Sequence, residues 1–237
     1  MAREAIGADR QQDTRRIYHP IQKDYATFLK TSEETGGELT LIAIEVAPGG
    51  GPPPHYHKTY DEHFEVLEGT LEVLLGKEKH TLRPGQRAVA PKNTRHCFEN
   101  PTGTPTTFLV EMRPGQPGFE KAVKVGYGLA ADGRKPLYHA YQLAVLLEWC
   151  EIRMTGVLGL LDPSLGLLAK QARQKCVDKE LEAEYCRLAG PAWARMLSAR
   201  RLQMPPSVTL IRTREPEAVQ SPSPAPLVYG SLPKANS

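Results

Sequence analysis

Between Gly49 and Asn100, four side chains able to bind a metal fall at spacings that suit paired extended strands. His55 and His57 are two residues apart, so on a strand both imidazoles leave the same face. Glu62, Phe64 and Val66 repeat that rhythm, and His96 with Phe98 repeats it again. The odd gap from His57 to Glu62 would place them on opposite faces of one straight strand, which predicts a turn or bulge over residues 59–61. Three imidazoles and one carboxylate converging inside a small barrel would hold one divalent ion and leave positions open for water or substrate.

The surrounding sequence is punctuated for short antiparallel strands. Residues 24–31, 38–46, 62–67, 70–75, 87–90, 94–99 and 106–113 read as strands. The turns between them carry glycine or proline at 36–37, 47–54, 69, 76 and 83–85, with the charged run 77–80 read as part of a turn. In 38–46, Leu39, Leu41 and Ala43 lie on one face and Ile42, Ile44 and Val46 on the other, so both faces expect cover. Such a series implies a sandwich or barrel.

The spacing goes further. Gly49, five residues, His55, one, His57, four, Glu62, six, Gly69 is one motif; Gly85, five residues, Pro91, then His96 and Asn100 is a second. Together they resemble the two cupin motifs over roughly residues 36–115, with one departure: Asn93 stands where the family has glycine. Asparagine tolerates positive φ better than most residues, so the turn is expected to survive. The resemblance implies a mainly β chain, a cupin jelly-roll β-barrel with a C-terminal helical extension. It also implies one divalent transition metal (Fe, Mn, Ni, Cu or Zn) on His55, His57, Glu62 and His96, because neutral imidazoles and a carboxylate suit any of these ions.

The family's activities include dioxygenases, oxalate-degrading enzymes, cyclases and isomerases, along with members that only bind ligands. We read the chain as a metal-dependent oxidoreductase of dioxygenase type acting on a small molecule. The alternatives are a non-catalytic ligand-binding protein and a metal-dependent isomerase or cyclase. Glu62 is the candidate base; Phe64, Val66, Phe98 and Phe108 are candidates to line the substrate pocket, with core packing as the competing account. Tyr60 and Asp61 either orient the ligands or shape the turn, and His63 should leave the opposite face of its strand.

Composition bounds the rest. A hydrophobic content of 40% and charged content of 24% describe an ordinary globular chain, and a net charge of +3 is too small to argue for nucleic acid. Residues 170–214 carry ten Lys or Arg against four Asp or Glu, which reads as a solvated face. Cys97, Cys150, Cys176 and Cys186 are scattered without a Cys-x-x-Cys pair, which favours free thiols in a reducing compartment. The polar start lacks the apolar core of a secretory signal, and no apolar run is long enough to span a membrane, so a cytoplasmic location is expected.

The expected organisation is an N-terminal arm at 1–22, the β-barrel at 23–116, helices at 117–202 and a disordered Pro/Ser-rich tail at 203–237. Within the helical part, 119–133 and 137–153 read as helices, the Gly126, Gly128, Ala131 pattern belonging to the first rather than to a nucleotide fold. A third is expected over 165–189, with Asp162 as N-cap and Pro163 opening it. These helices should cover one side of the barrel. A homodimer is expected by resemblance alone.

Overall fold

Strand β3 (Thr40–Val46) shows the rule that builds the fold: Thr40, Ile42, Ile44 and Val46 are buried while the residues between them are half-buried. The same alternation recurs in β2 (Asp24–Lys30), β5 (Asp61–Glu68), β6 (Leu71–Leu75) and β10 (Thr106–Arg113), so each strand has one face for a shared core. The computed structural model describes residues 15–134, 139–154, 162–186 and 227–229.

Two sheets carry these faces. With β1 (Arg16–His19), β8 (Arg87–Ala90) and β12 (Leu227–Tyr229), the first has the order β1-β2-β3-β10-β5-β8-β12. The second, with β4 (His55–His57), β7 (Glu78–Leu82), β9 (His96–Glu99) and β11 (Ile152–Met154), has the order β11-β4-β9-β6-β7. Pairing is antiparallel except between β12 and β8. Phe28, Ile42, Phe64, Val66, Phe108 from the first sheet and Leu71, Val73 from the second meet in one apolar core. This is the expected mainly β jelly roll with C-terminal helices, its two sheets packed face to face and open at their edges.

The helices are α1 (Pro117–Ala131), α2 (Ala140–Trp149), α3 (Asp162–Gln174) and α4 (Val177–Tyr185). They gather a second core around Val125, Leu129, Val145, Leu146 and Leu181. Phe119 packs against both cores, so α1 joins helices to sheet. Gly128, in the middle of α1, makes room for α4: a Cβ there would lie 2.2 Å from the ring of Tyr185.

Several expectations are corrected. Residues 16–19 of the expected arm form β1, because Ile17 has an apolar core to enter and pairs across to Ala26. Of the charged run at 77–80 only Lys77 turns, beside Gly76; from Glu78 it forms edge strand β7, where charges facing water are harmless and blunt further pairing. The second helix stops at Trp149, and Ile152–Met154 pairs with β4 instead. The third is two helices, broken where Cys176 takes φ +60°, a turn that lets Leu181 and Tyr185 reach the second core. Helix α3 starts at Asp162 itself, within one residue of the expected cap. Of the tail, Leu227–Tyr229 forms β12 on the open edge of β8; the rest of 203–237 lies outside the described residues, as do residues 1–14.

A buried carboxylate fastens α1 to the sheet. Glu120 Oε1 accepts the Ser32 N–H and the Thr40 hydroxyl, each at 2.6 Å, and Thr40 in turn accepts the Gln116 N–H at 3.0 Å. Glu120→Ala would strand buried donors with no acceptor. We expect it to lower the unfolding free energy in urea by about 2 kcal/mol, and an unchanged midpoint would show the clasp to be dispensable.

Candidate metal centre and its cavity

The three histidines come from neighbouring strands of one sheet and the carboxylate from the other. His55 and His57 face inward because β4 alternates buried, half-buried, buried. His96 opens β9 directly opposite His55 in the β4–β9 register. Residues 58–60 then carry the chain from the second sheet to the first, so Glu62, on β5, faces the same interior from the other side. That crossing is the physical form of the turn predicted at 59–61. Ligand atoms of all four residues lie within 4.8 Å of one another, and all four residues are buried.

The motif residues that do not ligate set these strands in place. The Gly49 N–H donates to the Asn100 carbonyl at 2.9 Å, and the buried Asn100 amide donates to the Val46 and Thr104 carbonyls, so the two motifs are tied at their far ends. Gly51, at φ +145°, lets the loop before β4 pass the Phe98 carbonyl, 2.1 Å from where a Cβ would sit. Asn93 takes φ +64°, the left-handed conformation expected of the family glycine, and its N–H donates to the His57 carbonyl at 2.6 Å.

Each imidazole is oriented through Nδ1. His55 and His96 use it to donate to the carbonyls of Pro53 and Thr94, both at 2.8 Å. His57 Nδ1 lies 2.6 Å from the Tyr60 hydroxyl, which itself donates to the Cys150 carbonyl at 3.0 Å. A hydroxyl that gives its proton to a carbonyl must accept from the ring, so His57 also carries its proton on Nδ1. All three Nε2 lone pairs are thereby freed for the centre.

The electrostatics match that assignment. Burial pushes His57 down to about 3 and His55 down to about 4, so both are neutral near neutral pH. Burial alone would raise Glu62, but His96 beside it, with His57 and His55 behind, outweighs that and holds the carboxyl at about 2. Burial likewise opposes the charged form of His96, yet the contact with Glu62 wins and raises it. His96 Nε2 lies 2.7 Å from Glu62 Oε2, and His57 Nε2 lies 3.9 Å from it. Neither buried Nε2 has a partner in hydrogen-bond geometry. A lone pair this close to a carboxylate needs a cation to relieve it, either a shared proton or a metal ion. Three nitrogens and one oxygen suit a divalent transition metal, and the group can hold one.

A cavity of about 270 Å³ opens beside this group, and His55 and Glu62 line it. Its other walls are the inner face of the first sheet, including Ile42, Ile44 and Met112, and the helices, through Phe119 and Leu146. Asp24, His19 and Tyr127 add polar groups to the same lining. Asp24 is 1% exposed and neither carboxylate oxygen has a partner in hydrogen-bond geometry. Burial pushes its carboxyl up to about 7, with Tyr127 close enough to hold it back in part.

Of the four residues expected to line a pocket, Phe98 does so. Phe64, Val66 and Phe108 do not: register places them together in the apolar core between the sheets, outside the cavity wall. Among the orienting candidates, Tyr60 fixes His57, whereas Asp61 accepts the Lys92 N–H at 2.8 Å and serves the loop before β9. His63 is half-buried on the opposite face of β5. The Cys150 carbonyl, Asp24 and the helical walls had no motif to mark them. The four cysteines are free thiols. Among the described residues no helix is long and apolar enough to cross a membrane.

The Cupin_2 family model, described as a cupin domain, matches residues 43–112. The chain is 30% identical over 105 residues to an uncharacterized protein of Aquifex aeolicus, an overlap covering 40% of this chain and 86% of that one. It is 31% identical over 104 residues to the mannose-1-phosphate guanylyltransferase ManC of Salmonella typhimurium, but spans only 22% of that protein's length. It is also 30% identical over 74 residues to the tetracenomycin polyketide synthase protein TcmJ of Streptomyces glaucescens, covering 31% of this chain and 50% of TcmJ.

Two outcomes follow from the geometry. Tyr60→Phe removes the acceptor that orients His57, so affinity for a divalent ion, read by competition with a chelator, should fall at least about ten-fold; no change would relegate Tyr60 to packing. The folded protein keeps a proton on Asp24 that the unfolded chain, at about 3.8, gives up, so stability should fall between about pH 4 and pH 7 and level off above. Asp24→Asn should abolish that fall, whose full extent is about 4 kcal/mol, and parallel curves for the two proteins would refute it. Strand arrangement, motif spacing and sequence similarity coincide over residues 43–112, and through that domain the chain belongs to the cupin family.

Proposed function

We propose that the protein is a metal-dependent enzyme acting on a small, largely apolar molecule that carries adjacent oxygens, and that it works as a dioxygenase-type oxidoreductase. One observation carries this reading: His55 and Glu62, two of the four candidate ligands, line a 270 Å³ cavity whose other walls are mainly aliphatic and aromatic. A divalent ion on His55, His57, Glu62 and His96 would supply Lewis acidity and, for iron, manganese, nickel or copper, redox reactivity.

The chain's own residues supply the rest. The Nδ1 contacts of the histidines fix the donor set before any ligand arrives, and the apolar walls exclude water from the substrate. Phe98 and Phe119 offer faces for an aromatic or aliphatic body. Glu62, ionised among imidazoles, contributes charge to the donor set and accepts a proton only if it leaves them. The similarity to TcmJ, a polyketide synthase protein, favours a second reading, cyclisation or isomerisation with the ion as Lewis acid alone.

Full-length protein purified without added metal should carry about one divalent ion per chain, and the His55→Ala, His96→Ala double variant almost none. Equal metal content in the two would remove the site. With dicarbonyl and phenolic substrates in an oxygen electrode, uptake matched to product supports the first reading. A rearranged carbon skeleton without uptake supports the second, and tight binding without conversion leaves a ligand-binding protein.

A further inference from the structure

The donor quartet is not the cavity's only polar feature. Asp24 begins β2, three strands from Glu62 in the order β2-β3-β10-β5, and the register offsets it along the strands as well: Asp24 pairs with Val46 at one end of β3, whereas Glu62 pairs through Met112 with Thr40 at the other. It is buried at 1% exposure and lines the cavity; no contact to either oxygen meets full hydrogen-bond geometry, and the Tyr127 hydroxyl is the one donor close by. A buried carboxyl with at most one phenol beside it keeps acceptor capacity to spare, and its place in a ligand-sized cavity leaves that capacity for a group that arrives with the ligand.

Its neighbours narrow the chemistry. His19 pairs with Asp24 in the β1–β2 register, and the His19 ring lies edge-on to Tyr127 at 4.9 Å between centroids. His19 Nδ1 accepts the Gln22 N–H at 3.0 Å, so the neutral ring carries its proton on Nε2. One wall of the cavity therefore offers a carboxyl acceptor together with a ring N–H and a phenol. An ammonium group can only donate, whereas a hydroxyl can donate to Asp24 and accept from His19 or Tyr127. Between this wall and the quartet the lining is apolar, with Ala26, Ile42, Ile44 and Val110.

We propose that Asp24, flanked by His19 and Tyr127, is the recognition point for a hydroxyl group on the ligand, at the opposite end of the cavity from His55 and Glu62. The ligand class is thus a chain or ring body with adjacent oxygens at one end and a hydroxyl at the other. This rests on the small-molecule reading of the same cavity, and it specifies which molecules that reading admits.

The test uses full-length protein loaded with Mn(II) and two series of 2-oxo acids of about six to ten carbons, with and without a terminal hydroxyl, followed by calorimetric titration. The flexible chains absorb the spacing between the two poles, and their volumes fit the cavity. At the best chain length the hydroxylated acid should bind about ten-fold tighter than its plain counterpart, the scale of one hydrogen bond to a buried carboxyl. Asp24→Leu should erase that preference, so that the hydroxylated acid binds no tighter than the plain one to the same variant. Asp24→Asn, nearly the same shape, gives the same comparison if the leucine variant does not fold, and should reduce the preference. Equal binding of both series at every length, a preference that survives Asp24→Leu, or one left undiminished by Asp24→Asn overturns the assignment of Asp24 and leaves the cavity reading standing. Failure of both series to bind protein that has taken up Mn(II) overturns the small-molecule reading and this inference together.

Discussion

Each site histidine is held through one ring nitrogen by an oxygen of the chain itself, and the centre exists only because of that constraint. Pro53, Thr94 and the Tyr60–Cys150 relay occupy the Nδ1 positions, which leaves three Nε2 lone pairs turned toward one carboxylate. Burying such a set without a cation is costly, since His55 and His57 are driven neutral and the carboxylate stays charged. The fold keeps the set together by spreading it over two sheets that already share an apolar core. The same core that stabilises the jelly roll therefore sets the spacing of the donors.

The C-terminal helices belong to this arrangement and are not an appendage beside it. Helix α1 closes the cavity with Phe119 and Tyr127, and Glu120 clasps it to Ser32 and Thr40. Helix α2 ends at the Cys150 carbonyl that receives the Tyr60 proton, so the orientation of His57 depends on where that helix stops. Beyond it, β11 extends the β4 strand edge and brings Ile152 to the cavity. A site that looks complete within residues 43–112 thus has its roof and part of its support outside them.

Much of this was legible in the residues alone, for a definite reason in each case. Period-two burial writes itself into sequence, so β2, β3, β5, β6 and β10 were readable within a residue or two. The His55, His57, Glu62 and His96 spacing carried the quartet, and Asn93 at φ +64° vindicates asparagine as a stand-in for glycine. Strands β1, β7 and β11 were not readable because edge strands are short and lack a clean alternation. Phe64, Val66 and Phe108 share a face with site residues, but sharing a face says nothing about depth, and they lie in the core.

What the sequence by itself determined is local: which side chains leave the same face of a strand, where the chain must turn, and which residue types could together hold a divalent ion. Alternation, turn chemistry and ligand spacing are all short-range properties, so they survive without knowledge of the fold. Only the tertiary structure decided what meets across distance: Cys150 beside Tyr60, α1 against the sheet, and Asp24 in the same cavity as Glu62. Those meetings depend on sheet order and helix docking, where residues far apart in the chain are brought together by burial of apolar surface that no local pattern encodes.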